Sequence, residues 1–264
     1  MAFLQVQFFS DALTVASSVY VILPEPKQGI GVKAAAADEP PKVLYLLHGY
    51  SDDHTIWMRR TSVERYAAAY NLAVIMPAVN HSFYTNEAQG EKYWDYVSEE
   101  LPEVMHRFFR LSKKPEDTYV AGLSMGGYGA MKLALTHPER FAAAASFSGA
   151  VDVAADVDSK TGERLEGFRR VFGDPKAIRG SDNDLFHLME KNAGAPRKPR
   201  LYVCCGTADF LYDQHLRFVP ALEKHGWDVT RYEEPDTSHE WRFWDERIRF
   251  FIPWALDGAK KDEH

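Results

Sequence analysis

The sequence predicts an α/β fold with a mostly parallel central sheet and helices on both of its faces. Two observations support this prediction. Short apolar runs, which are typical of strands buried on both faces, alternate with helical patterns along most of the chain. Near the middle, a Gly-x-Ser-x-Gly motif (Gly122, Ser124, Gly126) stands between an apolar run and a helical pattern. Such alternation builds right-handed βαβ units, and these units give parallel sheets.

Size and composition restrict the possible classes of protein. The 264 residues, 45% of them hydrophobic, favour one large domain, which we expect to span residues 1–264. The net charge of −7, without a basic stripe, argues against nucleic-acid binding. The N-terminal residues lack the pattern of a signal peptide, and no apolar run reaches the length of a membrane span.

The only cysteines, Cys204 and Cys205, are neighbours on a predicted strand. Their side chains then point to opposite faces of the sheet, so we expect no disulfide between them. This use of cysteine predicts a reduced, cytoplasmic setting.

Four strands and two helices are predicted ahead of the motif. The first two strands are expected to pair as an antiparallel hairpin at the edge of the sheet. The strands are predicted at Phe3–Phe9, Leu13–Leu23, Val43–Leu47 and Leu72–Met76, and the helices at Ser62–Tyr70 and Tyr96–Phe109.

Two loops interrupt these elements. Lys27–Lys42 combines glycine, alanine, charged residues and Pro40-Pro41, and is predicted to be exposed. Asn80–Trp94 is rich in aromatic residues and follows a buried strand, where a long loop is more often functional than accidental. The alternative for its four rings is that they only cover the core; they are Phe83, Tyr84, Tyr93 and Trp94.

From the motif onwards, strands and helices continue to alternate. The strands are predicted at Thr118–Ala121, Phe141–Phe147, Arg200–Cys205 and Trp227–Glu233, and the helices at Gly127–Leu135, Gly162–Phe172, Tyr212–His225 and Trp241–Leu256. Between them, Val151–Arg197 is a charged insert, which we expect to form a small cap over the functional face of the sheet. Its aspartates lack the spacing of a calcium-binding loop, so no metal site is predicted.

Gly-x-Ser-x-Gly between a strand and a helix is typical of a nucleophilic serine. The sharp turn presents the Ser124 hydroxyl to a cleft and directs the N–H groups at the helix start towards the group that the serine attacks. Gly122 and Gly126 are required because a Cβ at either position would collide with the neighbouring strand and helix.

A serine hydroxyl needs a base, usually a histidine that a carboxylate orients. Asp209 follows the strand that ends at Cys205, and His239 follows the last strand, so both stand at carboxyl ends of strands. The order Ser124, Asp209, His239 is the order expected for an α/β-hydrolase. The competing acids are Asp213 and Asp236, and the competing bases are His48, His54, His81, His187, His215 and His225.

The tetrahedral intermediate of acyl transfer needs two N–H donors. Met125, directly after the serine, supplies one, and the Tyr50 amide in His48-Gly49-Tyr50 is the predicted second. The alternative for His48-Gly49 is a plain tight turn. Gly49, Trp94 and Trp241 are predicted to contact the substrate.

Four stretches of the chain resemble the esterase D-type family of α/β-hydrolases, and the likeness extends from Phe3 to Leu256. They are Leu46–Tyr50, Gly122–Gly127, Cys205–Tyr212 and Ser238–Trp244. Within the family the chain is most similar to bacterial tributyrin esterases, which are relatives of S-formylglutathione hydrolases and feruloyl esterases. The resemblance implies an α/β-hydrolase fold and a cofactor-free serine esterase acting on short acyl esters. It also supports Ser124, Asp209 and His239 as the triad, with Tyr50 and Met125 as oxyanion donors.

The expected function is therefore a serine carboxylesterase that acts on a small-molecule ester without a metal. The exposed aromatic loops favour a homo-oligomer. Alternatives are a feruloyl or acetyl esterase of plant polysaccharides, an acyltransferase on the same scaffold, and a noncatalytic binding protein. Formylglutathione hydrolases usually carry a cysteine in the loop after the oxyanion strand, and Tyr50–Asp53 contains none. We therefore do not expect that particular activity.

Overall fold

A computed structural model describes residues 1–25, 39–157 and 160–257. It contains a sheet of eight strands in the order β1-β2-β4-β3-β5-β6-β7-β8. The strands are β1 (Ala2–Ser10), β2 (Val15–Leu23), β3 (Lys42–Leu47), β4 (Leu72–Pro77), β5 (Thr118–Leu123), β6 (Ala143–Phe147), β7 (Arg200–Gly206) and β8 (Val229–Glu234). β2 pairs antiparallel with β1 and β4, and every other pairing is parallel. The predicted parallel sheet with an antiparallel edge hairpin is confirmed.

Ten α-helical segments connect these strands within the described residues. They are α1 (Ile56–Arg60), α2 (Val63–Ala67), α3 (Tyr93–Asp95), α4 (Leu101–Phe108), α5 (Met125–Thr136), α6 (Val153–Asp156), α7 (Gly162–Phe172), α8 (Leu185–Lys191), α9 (Tyr212–Lys224) and α10 (Trp241–Asp257). No helix among these is long and apolar enough to cross a membrane.

The first helices differ from the prediction. α1 was not predicted, and the extended Thr61 separates it from α2. The helix expected at Ser62–Tyr70 is the shorter α2, Val63–Ala67. Residues 27–38 of the loop predicted at Lys27–Lys42 lie outside the described residues, and Lys42 already begins β3.

The helix predicted at Tyr96–Phe109 begins earlier, at α3, and passes through a π turn at Tyr96–Glu100 before α4. Pro102 explains the irregular turn, because proline has no N–H to donate to the carbonyl of Ser98 four residues earlier. That carbonyl instead accepts a hydrogen bond from Arg140 Nη1 at 2.9 Å.

Both faces of the sheet are covered, as the continuous apolar strands predict. In β3, Val43, Tyr45 and Leu47 join the cluster that includes the α5 side chains, whereas Leu44 and Leu46 join the cluster that includes α10. Alternation along a strand sends successive side chains to opposite faces, so one short strand contributes to both layers. The parallel strands consequently end along one edge, where the loops after β3, β5, β7 and β8 meet.

The insert, residues 151–197, leaves the sheet after β6 and returns at β7. The structure describes it except for residues 158 and 159, and α7 has the predicted bounds. Its start is held by the buried Asp152, whose carboxylate accepts hydrogen bonds from Arg179 Nη2 at 2.8 Å and Arg217 Nε at 3.1 Å. Because Arg217 lies on α9, this network fixes the insert to the main layer of helices.

Candidate active site

Ser124 occupies the turn between β5 and α5 with φ 53° and ψ −118°. A non-glycine residue in this region costs about 1–3 kcal/mol and persists only where its surroundings hold it. Its N–H donates to the Phe147 carbonyl at 2.9 Å, and its own carbonyl accepts from Tyr128 and Ala150, each at 3.1 Å. These bonds fix the strained turn and leave the side chain free to face the cleft.

Two glycines make the turn possible. A Cβ on Gly122 would lie 2.3 Å from the Gly126 carbonyl oxygen, and a Cβ on Gly126 would lie 2.4 Å from the Leu47 carbonyl oxygen. The helix start and β3 therefore leave no room for a side chain at either position. This is the collision that the motif predicts.

Asp209 and His239 come together at the ends of β7 and β8. His239 Nδ1 donates to Asp209 Oδ2 at 2.7 Å, and the Leu211 amide donates to Asp209 Oδ1 at 2.9 Å. The carboxylate is fully buried and holds both partners in fixed directions. Because Nδ1 carries the proton, Nε2 of the neutral imidazole is the nitrogen that can accept one.

Rings on two sides fix the plane of the His239 imidazole. The ring of Phe210 lies 4.6 Å from it, and the Trp244 ring meets it edge-on at 4.7 Å. Ser124 Oγ makes no hydrogen bond with any described residue, and it lines the same cleft as Phe210 and Leu211. Catalytic hydrogen bonds often form fully only when a substrate binds.

Neither competing acid, nor His215 among the competing bases, belongs to this hydrogen-bonded pair. Asp213 and Asp236 are exposed, and neither contacts His239 in the described part of the chain. His215 Nε2 lies 3.3 Å from Glu233 Oε1 on β8.

His48 is buried and bonded at both nitrogens. Its Nε2 accepts from the Val79 amide at 3.1 Å, so its Nδ1 carries the proton and donates to the Gly49 carbonyl at 2.7 Å. Burial lowers the pKa of His48 from 6.5 to about 4, which keeps the ring neutral.

The Gly49–Tyr50 peptide is oriented by this histidine. The Gly49 carbonyl also accepts from the Asp52 amide at 3.2 Å, and no cis peptide occurs among the described residues. In a trans peptide the N–H points opposite to the carbonyl, so the Tyr50 amide faces away from His48. A Cβ on Gly49 would lie 3.7 Å from Ser124 Cβ, which brings this peptide beside the serine.

A cleft with a volume of about 180 Å³ opens beside Ser124. Met125, the first residue of α5, lines it together with Tyr50, and its amide has no acceptor within the helix. Within the described part of the chain, the lining residues are Tyr50, Phe83, Ser124, Met125, Ala150, Asp156, Lys160, Arg164, Phe168, Phe210 and Leu211. The insert contributes four of these residues, at positions 156, 160, 164 and 168, so it forms one wall.

The two tryptophans predicted to contact the substrate do not line this cleft. Trp94 stacks on His137 at 5.8 Å, lies 4.6 Å from Lys132 Nζ, and lines a separate cavity, because the buried lysine draws its ring towards α5. Trp241, the first residue of α10, packs on Trp57 with 5.3 Å between the centres of the two rings. In their place, the aromatic wall comes from Phe83, Phe168 and Phe210.

The insert residues were missed by the sequence prediction, although one signal was present. Lys160, Arg164 and Phe168 are spaced four residues apart, which places such residues on one side of a helical segment. Spacing alone does not say whether that side faces a cleft or solvent.

Comparison with known proteins gives the family. The model of the family described as "Putative esterase" matches residues 10–248. The chain is 32% identical to an acetyl esterase of Caldicellulosiruptor saccharolyticus over 96% of this chain and 98% of the relative. The chain also matches two solved structures from Staphylococcus aureus, and each match spans 97% of this chain and 98% of the matched chain. One is a substrate-bound, fluorophosphonate-binding serine hydrolase F, with a TM-score of 0.86 and 35% identity. The other is an S-formylglutathione hydrolase, with a TM-score of 0.84 and 36% identity. The chain belongs to this esterase family and is a carboxylic ester hydrolase with the α/β-hydrolase fold.

Proposed function

We propose that the protein is a serine carboxylesterase that hydrolyses short-chain acyl esters through an acyl-enzyme intermediate. The observation that carries the proposal is the hydrogen bond of 2.7 Å between His239 Nδ1 and the buried Asp209, next to the cleft that Ser124 lines. A nucleophile, a base and an orienting carboxylate are the three groups that acyl transfer requires.

In the proposed first half-reaction, Ser124 Oγ attacks the ester carbonyl carbon while its proton moves to His239 Nε2. The Tyr50 and Met125 amides stabilise the oxyanion of the tetrahedral intermediate. His239 then returns the proton to the departing alcohol, which leaves the acyl group on Ser124. In the second half-reaction, a water that His239 deprotonates attacks the acyl-enzyme and releases the acid.

The size of the cleft supports a short acyl group. Its volume of about 180 Å³ is below the roughly 300–1,000 Å³ that is typical of pockets for drug-sized ligands. Phe83, Phe168 and Ala150 make its interior apolar, which suits an alkyl chain.

The test is hydrolysis of nitrophenyl acetate and butyrate by the wild-type protein and by Ser124→Ala. We expect the substitution to lower kcat by several orders of magnitude, as the loss of a triad serine does, without changing the thermal unfolding temperature. A variant that retained more than about a tenth of the wild-type kcat would exclude Ser124 as the nucleophile.

The same assay separates the related activities. An added alcohol acceptor that becomes esterified would indicate acyl transfer in place of hydrolysis. S-formylglutathione belongs in the substrate panel because one similar structure is described as its hydrolase. The loop Tyr50–Asp53 contains no cysteine, and we expect lower kcat/KM for this thioester than for nitrophenyl acetate.

We also propose that residues 1–264 form one domain with residues 151–197 as a small cap, since the insert is fixed through Asp152 and forms a wall of the cleft. Limited proteolysis that released a stable fragment would contradict this organisation. The cytoplasmic location and the homo-oligomer predicted from the sequence are further proposals, and cell fractionation and light scattering would test them.

A further inference from the structure

The wall that the insert contributes to the cleft is charged. Arg164 and Phe168, four residues apart on α7, both line the cleft, and Lys160 lies just before the helix. Asp156 is the fourth insert residue of the lining. In a chain of net charge −7, the described lining of the cleft thus includes two cations and one carboxylate.

One of the two cations is already neutralised. Lys160 Nζ lies 2.7 Å from Asp156 Oδ2, and both side chains are largely shielded from solvent. Lys160 Nζ also lies 5.6 Å from the centre of the Phe168 ring. This lysine therefore has partners within the insert and contributes little net charge to the cleft.

Arg164 differs from the other arginines of α7. Arg169 pairs with Glu166 at 2.7 Å, and Arg170 pairs with Glu87 at 3.3 Å. Neither of them lines the cleft. Arg164 lines it, is exposed, and has no ion-pair partner among residues 1–25, 39–157 and 160–257. The two arginines of α7 that lie outside the cleft are therefore paired, whereas Arg164 beside the cleft has no ion-pair partner in the described part of the chain.

We propose that Arg164 binds a carboxylate on the alcohol part of the substrate, so that the preferred substrates are short-chain acyl esters of anionic alcohols. The inference rests on the proposed esterase function. A short acyl group fills the apolar interior beside Phe83 and Phe168, and only the larger alcohol part reaches the exposed mouth. The planar guanidinium matches a carboxylate through two parallel hydrogen bonds, which a lysine cannot supply.

The test compares two acetate esters that differ in charge, 4-acetoxybenzoate and 4-acetoxybenzamide. We expect Arg164→Gln to lower kcat/KM for the benzoate about fivefold more than for the benzamide, mainly through KM, as loss of one solvent-exposed ion pair predicts. Arg164→Glu should lower kcat/KM for the benzoate, relative to the benzamide, still further. Arg164→Lys should keep part of the wild-type preference for the benzoate. High salt should reduce the preference of the wild-type enzyme, because it screens exposed charges.

Arg169→Gln is the matched control, since it removes the same charge from the same helix outside the cleft. It should leave the ratio of the two substrates at the wild-type value. Equal losses on both substrates with Arg164→Gln, or the same change of ratio with Arg169→Gln, would overturn the proposal.

A binding measurement separates this inference from the esterase assignment. Calorimetry with the inactive Ser124→Ala variant should show tighter binding of 4-hydroxybenzoate than of 4-hydroxybenzamide, and Arg164→Gln in that background should abolish the difference. Equal binding of 4-hydroxybenzoate and 4-hydroxybenzamide would refute the role of Arg164 and would leave the esterase assignment unaffected. Absence of hydrolysis of every ester would instead refute the proposed function.

Discussion

Two buried side chains determine the local geometry around Ser124. Asp209 fixes the tautomer of His239 through a bond of 2.7 Å, and His48 fixes the Gly49 carbonyl through another of 2.7 Å. In the proposed mechanism, the first bond orients the base His239 and the second orients the Tyr50 amide as an oxyanion donor. Each bond is short and involves a buried side chain, and hydrogen bonds are stronger in a low-dielectric interior than in water.

Asp209→Asn should lower kcat roughly 10⁴-fold, because the amide favours the wrong histidine tautomer, as the same change does in a serine protease triad. The matched controls are Asp213→Asn and Asp236→Asn, at exposed carboxylates that do not contact His239. Steady-state kinetics on nitrophenyl butyrate would measure all three. A crippling effect of Asp236→Asn with little effect of Asp209→Asn would mean that the acid is misassigned.

His48→Gln should lower kcat more than it raises KM, because the oxyanion that the Tyr50 amide is proposed to stabilise is absent from the bound ester. The loss should stay below the roughly 10²–10³-fold that deletion of an oxyanion donor causes, since the amide itself remains. His225→Gln, at the end of α9, is the control. Unchanged kcat with His48→Gln would show that the Gly49–Tyr50 peptide keeps its orientation without the histidine.

His48 also predicts a dependence of stability on pH. Its pKa is about 4 in the folded protein and 6.5 when unfolded, so between these values the unfolded chain binds more protons. The free energy of unfolding should therefore fall as pH drops from 6.5 towards 4, and it should fall less steeply in His48→Gln. Urea titrations of both proteins at several pH values in this range would measure the free energy of unfolding. If it fell equally with pH in both proteins, the prediction would be wrong.

At the scale of elements, Lys132 on helix α5 joins the loop Asn80–Trp94 to the insert. Its Nζ donates to Thr85 Oγ1 in the aromatic loop and to Asn183 Oδ1 in the insert, each at 2.8 Å. The Trp94 ring lies 4.6 Å away. Three segments that are distant in sequence are therefore joined at Lys132, a residue that is 4% exposed.

Burial lowers the pKa of Lys132 from 10.5 to about 7. Between these values the unfolded chain holds a proton that the folded protein does not, so stability should rise with pH. Relative to Lys132→Met, the free energy of unfolding of the wild type should increase from pH 7 to 9, by at most about 1.4 kcal/mol per pH unit. Lys191→Met, at an exposed lysine that pairs with Asp182, should leave this slope unchanged. A slope that is the same in wild type and Lys132→Met would contradict the lowered pKa.

The sequence predicted best what depends on local geometry. Gly122 and Gly126 require close backbone contact, and Asp209 and His239 follow strands whose ends must meet in a parallel sheet. The prediction for Trp241 depends on its position directly after His239 in the sequence, and that for Trp94 on its place in an aromatic loop after a buried strand. Phe83 and Tyr84 both take positive φ values of 51° and 52°, and no sequence pattern predicts how such a loop directs the rings that follow it.

At the scale of the whole molecule, substrate length is limited by the space between the sheet and the insert. Each methylene that fits should gain about 0.8 kcal/mol by burial, whereas one that does not fit costs about 1–3 kcal/mol in strain. We expect kcat/KM to rise from acetyl to butyryl esters and to fall for longer chains. Phe168→Ala should move the optimum to longer chains, and Phe250→Ala, on α10 outside the cleft, should not.

Nitrophenyl esters from acetate to palmitate, kept monomeric in solution, provide the measurement. An optimum at ten carbons or more would contradict a small acyl pocket. So would a jump in rate once the substrate forms an interface, because that behaviour requires an apolar surface that the charged insert does not offer.

The contact of Gly126 with β3 has a consequence for how this enzyme can evolve. The Leu47 carbonyl accepts a hydrogen bond from Trp57 Nε1 at 3.0 Å and leaves no space for even one methyl group on Gly126. Point mutations therefore cannot move the nucleophile stepwise, since β3 and α5 would have to separate in the same event. The insert faces the cleft with side chains, which single substitutions can exchange. New ester specificities should accordingly arise by substitutions in residues 151–197, while the turn at Ser124 keeps its geometry.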